Sequence, residues 1–149
     1  MATSREIPRV LCVGTRPELA AHGQLRLTVV ATRLKETAAA LEHARKLARD
    51  LHASIRILVP RIVPFHNSLE EPPVSASIIA TSLLSSLPAG EIEPNITICF
   101  CRDEKDVWAT QIEPRAIVIA GSPRRFLWPQ RGTVNTLREL GHQVIIAEE

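Results

Sequence analysis

One pattern constrains this chain more than any other. Apolar, β-branched stretches alternate with stretches of helical periodicity from residue 25 to residue 147. Leu25-Arg26-Leu27-Thr28-Val29-Val30-Ala31-Thr32 has the near-continuous apolar character of a strand buried on both faces of a parallel sheet. Thr37 to Leu51 follows, and Ala40, Leu41, Ala44, Leu47, Ala48 and Leu51 recur every three or four positions. That spacing lays one apolar stripe along a helix, which must cover a sheet. His52-Ala53-Ser54 closes the helix, and Ile55-Arg56-Ile57-Leu58-Val59 reads as the next strand. Strand, amphipathic helix and strand in this order form a βαβ unit with a right-handed crossover.

The alternation continues. Pro60 and Pro64 end the second strand, Phe65 to Glu71 is a loop, and Pro72-Pro73 set off a helix over Val74 to Leu87 that Pro88-Ala89-Gly90 terminates. Ile96 to Cys101 is a third strand, and Asp103 is the N-cap of a short helix reaching Ile112. Ala116 to Gly121 is a fourth strand. Thr133 to Leu140 is a helix with Gly141 as its left-handed C′ residue, and Val144 to Ala147 is a fifth strand. Such an order specifies an α/β domain with a parallel sheet over residues 25–149. Residues 1–24 read as an N-terminal arm, in which Pro8 to Gly14 supplies a possible extra strand and Thr15-Arg16-Pro17-Glu18-Leu19 a proline-first helical turn. The arm is expected to extend a sheet edge or to pack on a partner.

Composition narrows the function classes. The chain has 149 residues, 45% hydrophobic and 23% charged, which suits one globular domain burying about 70% of its unfolded surface. No apolar run approaches the roughly 18 residues of a membrane span. The N-terminus lacks a signal-peptide h-region, and three Cys point to a reducing, cytoplasmic setting. Net charge is +2, aromatics make up 3%, and there is no Tyr. Both the electrostatic footprint and the stacking platform of a nucleic-acid binder are missing.

No catalytic motif stands out. The sequence contains no Gly-x-Ser-x-Gly elbow, Walker A loop or Gly-x-Gly-x-x-Gly fingerprint. His22, His43, His52, His66 and His142 are scattered, and Glu70-Glu71 and Asp103-Glu104 lie where nothing raises a carboxyl pKa. Cys99 and Cys101 would share one face of a strand, but no second pair completes a metal site, so they read as small buried hydrophobes. The expectation is a domain that is not an enzyme.

One constellation carries chemistry. Open parallel sheets bind ligands outside the carboxyl ends of their strands, where the strand order reverses. Those ends are Thr32-Arg33-Leu34-Lys35 and Gly121-Ser122-Pro123-Arg124-Arg125, and the helix beginning near Gly132-Thr133 offers free amides to an anion. The candidate ligand-binding residues are therefore Thr32, Arg33, Gly121, Ser122, Arg124, Gly132 and Thr133.

The element order, the Ala-Leu-Glu-His-Ala-Arg-Lys-Leu-Ala helix, the Ile-Val-Ile-Ala-Gly-Ser stretch and the ending Leu-Arg-Glu-Leu-Gly-His-Gln-Val-Ile-Ile-Ala together resemble the universal stress protein A superfamily. The resemblance covers about residues 25 to 147. It implies an open five-stranded parallel sheet of order 3-2-1-4-5, counted from residue 25, with helices on both faces. It also implies pairing of two copies through the final strand, Val144 to Ala147. ATP-binding members carry an Asp at the end of the first strand, then after the fourth a glycine, two residues, a glycine, nine residues and a glycine with Ser or Thr. Here Thr32 stands at the Asp position, Gly121 and Gly132-Thr133 keep the outer glycines, Arg124 replaces the middle one, and the spacer from Arg125 to Arg131 holds seven residues. Replacing that glycine removes a close-approach backbone position that a phosphate cradle uses.

The resulting expectation is a non-enzymatic, cytoplasmic, homodimeric binding or regulatory domain. It would hold ATP or another adenine nucleotide weakly or not at all, and any small ligand would be anionic. The alternative is an interaction module, a regulatory subunit docking on a membrane transporter or sensor protein through Phe126, Leu127 and Trp128, since Trp and Arg dominate interface hot spots.

Overall fold

The computed structural model describes residues 10–14, 25–122 and 131–148. These form β1 (Val10–Gly14), β2 (Arg26–Val30), α1 (Leu34–Leu51), β3 (Ser54–Ile62), α2 (Ala76–Ser86), β4 (Asn95–Cys101), α3 (Glu104–Gln111), β5 (Ile117–Ser122), α4 (Arg131–Glu139) and β6 (Gln143–Glu148). The strands make one mixed sheet of order β1-β4-β3-β2-β5-β6. Strands β2 to β6 pair in parallel, whereas β1 runs antiparallel to β4.

The five strands expected from residue 25 onward pair in parallel in the order 3-2-1-4-5, as β4-β3-β2-β5-β6, but the all-parallel, five-stranded sheet is corrected to a mixed sheet of six, because β1 adds antiparallel to β4. Residues 10–14 of the expected arm are an edge strand of that sheet, in register from Val10 opposite Cys101 to Gly14 opposite Thr97. An isolated run of five residues carries little periodicity of its own, so only its partner strand reveals its place. The helical turn expected at 15–19 lies outside the described residues.

A second correction concerns Pro60, which does not end its strand. β3 continues to Ile62, with Pro60 in register with Cys99 of β4. The carbonyl of Leu58 accepts from the Ala31 amide of the β2 side at 2.9 Å. Two residues on, the Pro60 nitrogen turns the same way, beyond the end of β2 at Val30. Its missing N–H therefore breaks no ladder bond, which is the condition on which strands tolerate proline.

Helices cover both faces. One core cluster joins Leu27, Val29, Ile57 and Ile98 of the sheet to Ala40, Leu41, Ala44 and Ala48 of α1 and Ala80 of α2. The other joins Leu58, Cys99 and Val118 to Val107 and Trp108 of α3 and Val134 and Leu137 of α4. Ala40, Leu41, Ala44 and Ala48 of the α1 stripe are buried and Leu47 partly so, whereas Leu51 at its end is exposed, and the helix begins at Leu34, three residues before the expected start. Asp103 caps α3 by accepting from the Lys105 amide at 3.0 Å. Gly141 follows α4 at φ +90°, the left-handed conformation expected of a C′ glycine.

Candidate functional site

The chain leaves β2 through α1 on one side of the sheet and returns from β4 through α3 to β5 on the other. The order therefore reverses between β2 and β5, whose carboxyl ends lie side by side, with Val30 in register with Ala120. Thr32 and Gly121-Ser122 flank this crevice. Such switch points open between the first turns of two helices, which makes them ligand sites in open α/β sheets.

The expected ligand-binding residues other than Arg124 lie among the described residues. Thr32 is half-buried, and its hydroxyl donates to a Glu36 carboxyl oxygen at 2.9 Å while its amide donates to the Thr37 hydroxyl at 3.0 Å. Arg33 is the N-cap residue of α1, extended in backbone and exposed in side chain. Gly121 is buried against the backbone of Glu36, so close that a Cβ would overlap the Glu36 carbonyl. Its glycine character serves strand–helix packing at the crossing of β5 and α1. Ser122 ends β5. Gly132 lies in the first turn of α4, where a Cβ would meet nothing within 4 Å. Thr133, next to it, donates from its hydroxyl to a Glu104 carboxyl oxygen of α3 at 3.2 Å. Arg124, Phe126, Leu127 and Trp128 lie outside the described residues.

Two residues that the sequence did not single out belong to this edge. Glu36 is 2% exposed and places a carboxyl group beside Thr32, inside the first turn of α1. A helix starting at Thr37 would put Glu36 in a loop, whereas α1 begins at Leu34 and buries it in its first turn. Arg61 comes from the part of β3 beyond Pro60. It helps line a cleft of about 380 Å³ with Ala31, Thr32, Thr37, Val59 and Ile78. A neighbouring groove of about 430 Å³ shares Arg61, Val74 and Ile79 and reaches Phe100 and Glu104. Together they run along the carboxyl ends of β2, β3 and β4, in the size range of small-ligand sites.

The outer wall of this groove is fixed. The Arg102 guanidinium donates to the carbonyls of Val63, Pro64 and Asn67 at 2.9, 2.7 and 2.7 Å. It also stands 5.4 Å over the Phe65 ring. Three carbonyls satisfied by one planar cation tie the segment after β3 to the end of β4 along this groove.

A separate pocket of about 340 Å³ lies between α1 and the segment leading into β4, lined by Arg45, Lys46 and Arg49. The Arg45 guanidinium there is committed to the carbonyls of Ile92 and Pro88. Among the described residues no group of His, Cys, Asp and Glu could hold a metal ion, and no helix is long and apolar enough to cross a membrane. No protein-family profile matches this chain, and no curated protein does.

Proposed function

We propose that this chain is a binding or regulatory domain of universal-stress-protein type, acting without catalysis, with its small-molecule site along the carboxyl ends of β2, β3 and β5. The observation that carries the reading is the cleft at the carboxyl ends of β2 and β3, bounded by Thr32 and Arg61, which adjoins at Thr32 the point where the strand order reverses between β2 and β5. Its polar lining is small: Thr32 and Thr37 are tied together by hydrogen bonds, and Arg61 is an exposed cation beside them.

The charges along the edge divide the ligand. The Thr32 hydroxyl gives its proton to Glu36, so toward the cleft it is left as an acceptor and suits a hydroxyl-bearing or neutral polar group, such as a ribose, rather than a phosphate. An anionic end belongs near the first turn of α4 at Gly132 or toward Arg61, where backbone amides or a guanidinium supply donors. An adenine nucleotide satisfies both halves, with affinity limited by the lost glycine at Arg124 and the shortened spacer. The domain acts as a homodimer through β6, whose outer edge has no strand partner in the described sheet. Native mass spectrometry of freshly purified protein tests both parts together. A dimer, alone or carrying a nucleotide-sized mass, supports the reading, and a monomer that takes up no nucleotide contradicts it.

A second reading, a module that docks on a partner protein, rests on α2. No charged residue occurs between Glu71 and Glu91. Val74 is 41%, Ile78 61% and Leu84 47% exposed. A neutral helix with apolar side chains in solvent is the composition of an interface core rather than of a free surface.

A further inference from the structure

The antiparallel pairing of β1 with β4 sets Cys12 directly opposite Cys99. Opposed residues in an antiparallel ladder share one face of the sheet, with Cα atoms about 4.5 or 5.5 Å apart according to the hydrogen-bonding position. Both spacings fall inside the roughly 4.4–6.8 Å that a disulfide spans. Cys101 is less well placed. It opposes Val10, which makes it diagonal to Cys12, and its thiol donates to the Arg61 carbonyl at 3.7 Å. Cys99 and Cys101 stand two apart on one strand, about 6.5–7 Å between Cα atoms, with side chains parallel rather than convergent. All three are free thiols, Cys12 half-buried on the edge strand and Cys99 and Cys101 fully buried.

The thiols also differ in reactivity. A hydrogen bond from Cys99 holds the Cys12 thiol below its ordinary pKa; burial opposes this and the Arg56 charge assists it. The same bond, with burial, pushes Cys99 up. Burial and the carboxylates of Glu104, Asp103 and Asp106 raise Cys101 to about 11. The more exposed thiol is therefore the more readily ionised, and its neighbour keeps a proton. This is the division of roles between an attacking and a resolving cysteine.

We propose that Cys12 and Cys99 form an oxidation site, at which a hydroperoxide converts the two facing thiols into a disulfide tying β1 to β4. The Cys12 thiolate attacks the terminal peroxide oxygen; an S–O bond forms, the O–O bond breaks, and the alcoholate leaves and takes up the Cys12 proton from solvent. The Cys99 sulfur then attacks the Cys12 sulfenic acid. An S–S bond forms, the S–O bond breaks, and the departing hydroxide takes the Cys99 proton as water. Two thiols lose two electrons and the peroxide is reduced to an alcohol and water. Since β1 is held to the described sheet by one ladder, the bridge makes a single-sided attachment covalent. The site is independent of the ligand cleft.

Titrating the full chain with one equivalent of hydrogen peroxide, then mapping peptides without reduction, tests the site. The expected product has lost two hydrogens, links the peptides containing Cys12 and Cys99, and keeps one free thiol. Its thermal midpoint rises by several degrees, since the bridge closes a long loop, and a thiol reductant reverses the rise. Cys101→Ser forms the same bridge. Cys12→Ser, at a half-exposed position that tolerates a smaller polar group, forms none. A Cys12–Cys101 bridge, a disulfide between two copies, or three intact thiols after a full equivalent of peroxide would overturn the proposal.

Discussion

Gly121 and Glu36 touch backbone to backbone where β5 meets the first turn of α1, leaving no room for a side chain at residue 121. The obstacle is a carbonyl within a helix rather than the end of a flexible side chain. Gly121→Ala must therefore shift α1 or β5, and is expected to cost about 2–3 kcal/mol in urea unfolding. Gly132→Ala is the contrasting case, because its Cβ enters open space in a helix. It should be neutral or stabilising by up to about 1 kcal/mol. Equal losses at both positions would mean that the two glycines serve the same purpose.

Thr32 and Glu36 form the second measurable contact. The Glu36 carboxyl group is buried and takes a hydrogen bond from the Thr32 hydroxyl. Thr32→Val keeps the shape and removes the donor, and should cost about 1–3 kcal/mol, since it leaves a buried acceptor without its partner. Glu36→Gln keeps an acceptor oxygen and should cost less. Reversal of that ranking in denaturant titrations would contradict the assigned donor and acceptor.

Acid sensitivity is expected from the opposite edge of the sheet. Glu113 accepts from Arg26 Nε at 3.3 Å and from Arg26 Nη2 at 2.9 Å, and lies 3.5 Å from Arg56 Nη2. Burial works against the charged carboxylate, but the Arg26 hydrogen bonds, a backbone bond and the charges of Arg26 and Arg56 outweigh it and hold the pKa below 4.5. A folded-state pKa below the unfolded one gives stability that is present above pH 4.5 and lost as pH falls through the folded value. Glu113→Gln should cost about 1–2 kcal/mol at neutral pH, because Arg56 is buried while Glu113 itself is 40% exposed and screened. Its stability should also fall less steeply in acid than that of the wild type. Parallel acid limbs for the two proteins would contradict this.

Assembly is expected at β6, where Val144, Ile145 and Ile146 are half-buried on the open edge of the described sheet. Two copies paired there would run antiparallel about a two-fold axis, the simplest closed arrangement. Ile145→Lys places a charge in that seam and should give a monomer by light scattering, with little change in the monomer's far-ultraviolet dichroism. A variant that remains dimeric would move the interface elsewhere.

The parts of the fold that were readable in advance are those with long, regular patterns. The α1 stripe, the burial of the central strands and the Gly141 stop each follow from spacing that one face of an element imposes locally. The Val10–Gly14 strand was readable only as a possible strand, because its direction and neighbour depend on β4, far along the chain. That same long-range pairing is why Cys99 reads as a plain core residue until Cys12 is set against it. The candidate site was legible in part. Thr32 and Gly121 lie at the carboxyl edge of the central strands, where their place in the sequence puts them, and the contact of Gly121 with Glu36 is a packing role that no local pattern shows. Glu36 and Arg61 are not legible locally because each lies just past a boundary that the flanking residues misplace, the start of α1 and the end of β3.

Isothermal calorimetry with AMP, ADP and ATP on the wild type and on Thr32→Val tests the central claim, a ligand site at the carboxyl ends of β2, β3 and β5, most directly. Binding of at least one adenine nucleotide with Kd of about 10 μM to 1 mM, weakened at least about fivefold in Thr32→Val, is the expected result. No heat with any of the three, or binding that Thr32→Val leaves unchanged, would contradict it.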